Sequence, residues 1–197
     1  MEHSPYQMQG ACMRAWNVVV TVRPGALEEV RRLLHDLGQV GDSPYDNVLL
    51  LRAEEPVAAL HTLQLWCRIN PWLRAQIDHV VPITHAFAFE TCDEFDSRAT
   101  ESLREWLPAL AGRSVRVRSD SHGAPPDDEC RCQEAALGAV LARALQQSGA
   151  SARPGDGDPD WIIALECLGQ WVGLSLWSRG QVRRYPELGL GPTPQAG

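Results

Sequence analysis

The first half of the chain alternates short apolar runs with amphipathic stretches, and this alternation restricts its possible folds more than any other feature. Asn17–Val22 is a β-branched run that ends before Pro24-Gly25, which predicts a strand followed by a turn. Residues 26–37 then show helical periodicity, and Gly38 stands where a helix ends. The apolar side of this predicted helix consists of Leu27, Val30, Leu33, Leu34 and Leu37.

Two further strands, a second helix and a closing strand complete this half. They are the edge strand Gln39–Tyr45, where Pro44 is tolerated, the turn Asp46-Asn47, the buried strand Val48–Leu51, a helix opened at Pro56, and the strand Val80–Phe89. The resulting order, β-α-β-β-α-β, is that of the ferredoxin-like arrangement. We therefore expect a ferredoxin-like domain over residues 16–90, preceded by a flexible tail at residues 1–15.

The second half has a different order of elements. A helix capped by Asp96 carries its apolar positions at Ala99, Leu103, Trp106, Leu107 and Leu110, and Pro108 should kink its last turn. The strand Ser114–Arg118, a polar loop over residues 119–128, and a long helix from about Glu129 to Ser148 follow. Residues 150–159 predict a flexible link.

Two apolar runs, Asp160–Leu168 and Trp171–Ser178, predict a β-hairpin around Gly169-Gln170, a two-residue loop suited to a type II′ turn. This register assigns the two faces of the hairpin. The core face carries Ile163, Leu165, Cys167, Val172, Leu174 and Leu176. The other face carries Ala164, Glu166, Gly173 and Ser175, with Trp171 and Trp177 at its ends. We expect this second face to be solvated, or to receive a partner surface.

Several segments spread over roughly residues 16–185 are informative together. In the first half they are the NVLLL run at residues 47–51, the helix opened at Pro56, and the VVPI run at residues 80–83. In the second half they are the SVRVR run at residues 114–118, the pair Gln133-Glu134, and the DPD sequence at residues 158–160 before WIIALE at residues 161–166. In their order and spacing these segments resemble THUMP-domain proteins. The resemblance implies an α+β protein with a ferredoxin-like domain followed by a THUMP-like α-α-β-α-β-β domain at residues 91–185, and a C-terminal tail at residues 186–197.

The same resemblance implies recognition of RNA, with tRNA as the expected class, while a separate domain or subunit supplies the chemistry. The sequence ends at Gly197, shortly after the last strand, and no modifying domain follows in it. We therefore expect a stand-alone accessory protein, similar to the RNA-binding adapter of the tRNA cytidine acetyltransferase, that presents tRNA to a separate modification enzyme.

Composition limits how RNA can be bound. The net charge is −7, so indiscriminate binding to phosphates is excluded and a local basic patch is required. All 18 basic residues are arginine, which a GC-rich genome explains. The sequence lacks a signal peptide and an apolar run long enough to span a membrane, so we expect a cytoplasmic location with reduced cysteines.

The candidate RNA contacts form three groups. Arg116 and Arg118 alternate along one strand, with Arg113 before it and His122 beyond it. Arg179, Arg183 and Arg184 follow the last strand beside Tyr185, which suits phosphate contact combined with base stacking. Arg131 stands at the start of the long helix, where amides favour anions. The alternatives are a solvated strand face with salt bridges, a basic disordered tail, and a helix start already occupied by Asp127, Asp128 and Glu129.

The sequence lacks the residue patterns that metal, cofactor and catalytic sites require. Cys130-x-Cys132 beside His122 is half of a zinc pattern without its second pair, so no metal or cofactor is expected. Nucleotide-binding, zinc-protease and serine-hydrolase motifs are missing from the sequence, so we expect no enzymatic activity. The run Val48–Leu51 has no base-stacking aromatics, which excludes an RNA recognition motif. The alternative function is a protein-interaction module of THUMP architecture with little RNA affinity.

Overall fold

A computed structural model of the chain describes residues 16–122, 133–147, 153–154 and 157–191. Within these residues the protein is mixed α+β with two sheets, compatible with a ferredoxin-like part followed by a THUMP-like part. The chain divides into two compact units. Unit 1 extends to Thr84 and also includes Tyr185–Gly189, and unit 2 comprises His85–Arg184 and the residues from Leu190 onward.

Unit 1 contains a four-stranded antiparallel sheet in the order β2-β3-β1-β4. Its strands are β1 (Val18–Val22), β2 (Gln39–Asp42), β3 (Val48–Arg52) and β4 (Ile77–Pro82), and its helices are α1 (Leu27–Leu34), α2 (Pro56–Ile69) and α3 (Pro71–Gln76). The β-branched run of β1 pairs with the apolar run of β3 and with β4, which buries the centre of the sheet. Asn47 turns the chain into β3 with a φ of 63°, a left-handed conformation that asparagine tolerates.

Unit 2 contains a five-stranded sheet in the order β5-β9-β8-β6-β7. Its strands are β5 (His85–Ala88), β6 (Ser114–His122), β7 (Arg153–Pro154), β8 (Trp161–Leu168) and β9 (Trp171–Ser178). Its helices are α4 (Cys92–Leu103), α5 (Leu107–Leu110), α6 (Gln133–Gln147) and α7 (Arg179–Arg184). β6 runs parallel to β7 and β8, whereas β9 is antiparallel to both β8 and β5.

The predicted hairpin and its core face are confirmed. Cys167 pairs with Val172 and Leu168 with Trp171, which leaves Gly169-Gln170 as the loop. Gly169 has a φ of 61°, and Gln170 is not among the described residues with positive φ, as a type II′ turn requires. The residues predicted to face the core, Ile163, Leu165, Cys167, Val172 and Leu174, belong to the buried cluster of unit 2, and Leu176 packs against it.

The second face of the hairpin is buried, so the prediction of a solvated surface was wrong. Ala164 and Ser175 are fully buried, and Glu166 is only 2% exposed. The indole Nε1 of Trp177 donates a hydrogen bond to Ser175 Oγ over 2.8 Å on this same face. Small residues therefore indicate close packing at this position rather than contact with solvent, because they let large side chains approach the strands.

The last strand predicted for the first half, Val80–Phe89, is two strands in different sheets. β4 ends at Pro82 in unit 1, and β5 begins at His85 in unit 2, so the apolar run passes from one unit to the other. The following helix begins at Cys92, four residues before the predicted cap. Thr91 caps it, accepting a hydrogen bond from the amide of Glu94. The predicted kink is a break, since the helix stops after Leu103 and resumes at Leu107.

β6 is longer than predicted. It continues through Ser119–His122, which the sequence placed in a loop, because these residues pair with the second half of β8. Arg153–Pro154, predicted within a flexible link, forms a short strand along the start of β6. The predicted helix start at Glu129 lies outside the described residues, and α6 is described from Gln133.

The C-terminal residues just after α7 are buried, although the sequence placed them in a tail. Pro186–Leu188 form a 3-10 helix, and Glu187 and Leu188 are almost completely inaccessible. Gln64 Nε2 of α2 donates to Glu187 Oε2 over 3.4 Å within unit 1. Among the described residues, no helix has the length and apolar character needed to cross a membrane.

Candidate nucleic-acid interface

Alternate residues of β6 place four polar side chains on one face of the unit 2 sheet. Side chains two residues apart in a strand point the same way, so Arg116, Arg118, Asp120 and His122 share this face. Their neighbours on the parallel strand β8 are Ile162, Ala164, Glu166 and Leu168. The predicted alternation of Arg116 and Arg118 along one strand is therefore present in the structure.

The two β6 arginines have no charged partner in the described part of the chain. Arg116 and Arg118 are each half-buried, and neither forms a hydrogen bond or an ion pair with residues 16–122, 133–147, 153–154 or 157–191. A guanidinium is always charged and presents several N–H donors in a planar fork. Two such groups on adjacent same-face positions can therefore receive two anionic oxygens.

Asp160 and Ser114 join the beginnings of β8 and β6. Asp160 Oδ2 accepts hydrogen bonds from the amide and the hydroxyl of Ser114, over 3.0 and 2.9 Å, and Ser114 Oγ accepts from the amide of Asp160. The Ser114 amide and hydroxyl hold the pKa of Asp160 below its ordinary value of 3.8, assisted by the charges of Arg179 and Arg113. Asp160 therefore keeps its negative charge near Arg113, the candidate arginine that precedes β6.

Arg179 and Arg183 are paired with acids. Arg179 donates to Asp160 Oδ1 over 3.0 Å and to the carbonyl oxygen of Pro159 over 3.1 Å, and its Nε lies 3.4 Å from Asp158 Oδ2. Arg183 also forms an ion pair with Asp158. The charges of these two arginines are thus partly neutralised. The sequence had suggested salt bridges as the alternative for the arginines of the β6 strand, and a disordered basic tail for Arg179 and Arg183.

Arg113, Asp158, Asp160, Arg179 and Arg183 form what we call the sheet-end cluster. It lies where β6 and β8 begin and β9 ends, and Arg113 is exposed within it. Three arginines face two aspartates, so the cluster retains positive charge and can still attract an anionic backbone. Its ion pairs are solvent-exposed, so salt weakens them and they exchange partners at low energetic cost.

His122 lies at the opposite end of β6 from the sheet-end cluster. At about 3.3 Å per residue, it is about 30 Å from Arg113 along the strand. Its Nε2 is 4.0 Å from both Asp120 Oδ1 and Glu166 Oε2, and its side chain is only 14% exposed. The structure therefore keeps His122 on the same strand face as Arg116 and Arg118 but places it at the far end of the strand from Arg113.

The remaining candidates differ in accessibility. Arg184 is exposed at the end of α7. Tyr185 is only 6% exposed and its ring lies edge-on to His61 with a centroid distance of 6.2 Å, so its predicted stacking on a base was wrong. The segment that carries Arg179, Arg183 and Arg184 is helical. Arg131 and the pair Cys130 and Cys132 lie outside the described residues.

Sequence reasoning missed Ser114, Asp158 and Asp160 as determinants of the site. A signal for one of them was present, because the hairpin register that pairs Trp161 with Ser178 also brings Asp160 next to Arg179. The contact between Ser114 and Asp160 had no local signal. It joins residues 46 positions apart through the pairing of β6 with β8.

Comparison with known proteins finds similarity in fold only. No family model matches the sequence. No curated protein is similar enough to count as a match. The similarities that exist are to solved structures, at sequence identities that show a shared fold and nothing more specific.

Three of these structures illustrate the similarity. PH1313 from Pyrococcus horikoshii superposes with a TM-score of 0.54 at 12% identity, over 90% of this chain and 56% of its own. A possible methylase from Clostridium difficile gives 0.53 at 14% identity, over 82% of this chain and 40% of its own. A 4-thiouridine synthetase, solved in complex with RNA and ATP, gives 0.51 at 13% identity, over 82% and 41%.

The chain therefore spans about half the length of these proteins or less. Both units take part in the similarity, since at least 82% of the chain is covered in each case. Together the neighbours are consistent with the THUMP-like fold that the sequence resembles.

Proposed function

We propose that the chain binds structured RNA, with tRNA as its ligand, and presents that RNA to a separate modification enzyme. The observation that carries the proposal is the pair Arg116 and Arg118, half-buried on one face of β6 and without an ion pair among the described residues. Half-buried guanidinium groups whose N–H donors are not engaged by the described residues can bind phosphate oxygens through short, charge-assisted hydrogen bonds.

The surroundings of this pair support an RNA ligand. The sheet-end cluster adds a positive excess at the beginning of the same strand. An RNA backbone lying along β6 would meet Arg118, Arg116 and Arg113 in succession. The 4-thiouridine synthetase of similar fold was solved as an RNA complex, which supports the choice of ligand by analogy of fold.

A second candidate function is a protein-interaction module with little RNA affinity. The ion pairs of Arg179 and Arg183 with Asp158 and Asp160 favour it, because each pair must exchange its aspartate for a phosphate before RNA is bound there. The net charge of −7 acts in the same direction by repelling a polyanion at long range.

Equilibrium binding of fluorescently labelled tRNA separates these two functions. The informative variant is Arg116→Ala/Arg118→Ala, and Arg32→Ala/Arg52→Ala is its charge-matched control, because both of those arginines are exposed in unit 1. RNA recognition by β6 predicts at least a tenfold loss of affinity, about 1.4 kcal/mol, for the first variant and little loss for the control. Equal losses in both variants, or no tRNA binding by the native chain, would favour the interaction module.

A further inference from the structure

The exposed large apolar side chains of the described residues are concentrated on one short segment. Val57, Leu65, Ile69 and Trp72 all lie within α2 and α3, and Ile69 is 81% exposed. Single exposed apolar residues are common on protein surfaces, but several along one helix indicate an interaction surface. This surface belongs to unit 1, whereas the basic residues of β6 belong to unit 2.

The buried and exposed sides of α2 both have a regular apolar pattern. Its inner side buries Ala59, Leu60, Leu63, Gln64 and Cys67. Its outer side presents Ala58, Thr62, Leu65 and Ile69, at successive spacings of four, three and four residues. This is the spacing of a coiled-coil seam, which aligns side chains along one line of a helix. We call these four residues the outer seam.

The outer seam contains no unsatisfied polar group that would oppose its burial. Its one polar member, Thr62, donates its hydroxyl to the carbonyl oxygen of Ala58 over 3.0 Å within the helix. The sequence from Pro56 to Gln76 also lacks any acidic residue, although the whole chain carries a net charge of −7. Burial of this line against another helix therefore removes apolar area from water without stranding a charge.

The outer seam is complementary to itself when two copies run antiparallel. A two-fold axis beside the middle of α2 places the small residue Ala58 opposite Ile69 of the second copy, and Thr62 opposite Leu65. Each small residue of one copy therefore faces a large residue of the other copy. The two-fold symmetry repeats this pairing in the other half of the seam. This is the residue pairing that an isologous interface requires.

The charges at the two ends of α2 favour the same antiparallel orientation. Exposed Glu54 and Glu55 precede α2, and exposed Arg68 and Arg74 lie at its end and in α3. An antiparallel arrangement brings the acids of one copy towards the arginines of the other, and it also opposes the two helix dipoles. A parallel arrangement would bring like charges together. We propose that the chain forms a two-fold homodimer through the antiparallel pairing of the outer seams of α2.

A contact of this size predicts a concentration-dependent dimer. α2 is about 21 Å long, which limits the seam to about two heptads and makes the contact smaller than a standard interface of about 800 Å² per partner. Sedimentation velocity over a wide concentration range measures the association directly. The native chain should shift from monomer to dimer as its concentration rises.

The register is tested by two single variants and their mixture. Ile69→Glu and Ala58→Arg should each weaken self-association at least about tenfold, since each places an unpaired charge within the apolar contact. An equimolar mixture of the two should recover dimer, because the introduced carboxylate and guanidinium then face each other across one site. Ser97→Glu, at an exposed position of α4, is the charge-matched control for Ile69→Glu and should dimerise like the native chain.

All of these substitutions are at exposed positions, so circular dichroism should show an unchanged fold. The proposal is overturned if the native chain remains monomeric at every concentration. This holds also if the monomer binds a different protein through this surface. Dimerisation that Ile69→Glu leaves intact overturns it as well. A mixture that stays monomeric rejects the antiparallel pairing on which the proposal depends.

Discussion

The carboxylate of Asp160 accepts hydrogen bonds from both the amide and the hydroxyl of Ser114, and so ties the beginning of β8 to the beginning of β6. The same aspartate binds Arg179 through its other oxygen. One side chain therefore joins three strand ends, because Arg179 directly follows β9. This connection positions the sheet-end cluster beside the arginines of β6.

Asp160→Asn should destabilise the protein in a pH-dependent manner. The hydrogen bonds from Ser114, followed by the charges of Arg179 and Arg113, lower the pKa of Asp160 in the folded state below 3.8. Its contribution to stability is therefore fully present above pH 3.8 and is lost as the pH falls through the lowered folded-state pKa. Urea unfolding of both proteins from neutral to acid pH should show a difference that shrinks in acid. Asp93→Asn, at an exposed position of α4, is the control, and a difference that grows in acid would refute the assignment.

Ser175→Ala should destabilise unit 2 by about 1–3 kcal/mol, because it removes the acceptor of the buried Trp177 indole N–H. In a Trp177→Phe background the same change should cost less, since no indole donor remains to be satisfied. A double-mutant cycle measured by urea unfolding isolates this interaction. Additive effects of the two substitutions would mean that the second face of the hairpin does not hold this hydrogen bond.

Leu165→Ala and Leu65→Ala should differ strongly in their effects on stability. Leu165 is fully buried in the central strand β8, so its truncation should reduce the free energy of unfolding by about 2–5 kcal/mol. Leu65 is 45% exposed on α2, and its truncation in the monomer should cost less than about 1 kcal/mol. Chemical unfolding at low protein concentration makes this comparison. Similar costs for both variants would reject the assigned faces.

The thiols should react with a maleimide in the order of their exposure. Cys92 is exposed, whereas burial raises the pKa of Cys67 to about 11 and also raises the pKa of Cys167. At neutral pH, mass spectrometry of the labelled peptides should find Cys92 modified well before Cys67 and Cys167. Denaturant should abolish the order, and rapid native labelling of Cys67 would contradict its burial.

The order of elements could be predicted because local patterns carry it. The β-branched run of β1 and the Gly169-Gln170 loop each specify a strand or a turn without reference to the rest of the chain. The division of residues 80–89 between two sheets could not be predicted this way. The run is mostly apolar, and its interruption at Thr84 and His85 does not show that the chain changes sheets there. Only the packing of each unit decides where one strand ends and the next begins.

The candidate site was predictable in part for the same reason. The shared face of Arg116 and Arg118 follows from strand periodicity. The distance of His122 from Arg113 depends on the length of β6, which its pairing with β8 extends to nine residues. The burial of Tyr185 depends on contacts with distant α2, including the ring of His61, so a basic-aromatic sequence pattern could not reveal it.

The salt dependence of tRNA binding tests the central claim most directly. Each arginine that contacts a phosphate contributes about one unit to the slope of log affinity against log salt concentration. Compared with the native chain, Arg116→Ala/Arg118→Ala should give a slope shallower by about two units, while Arg116→Lys/Arg118→Lys keeps the slope. Identical slopes for the native chain and the alanine variant would show that the β6 arginines do not hold RNA.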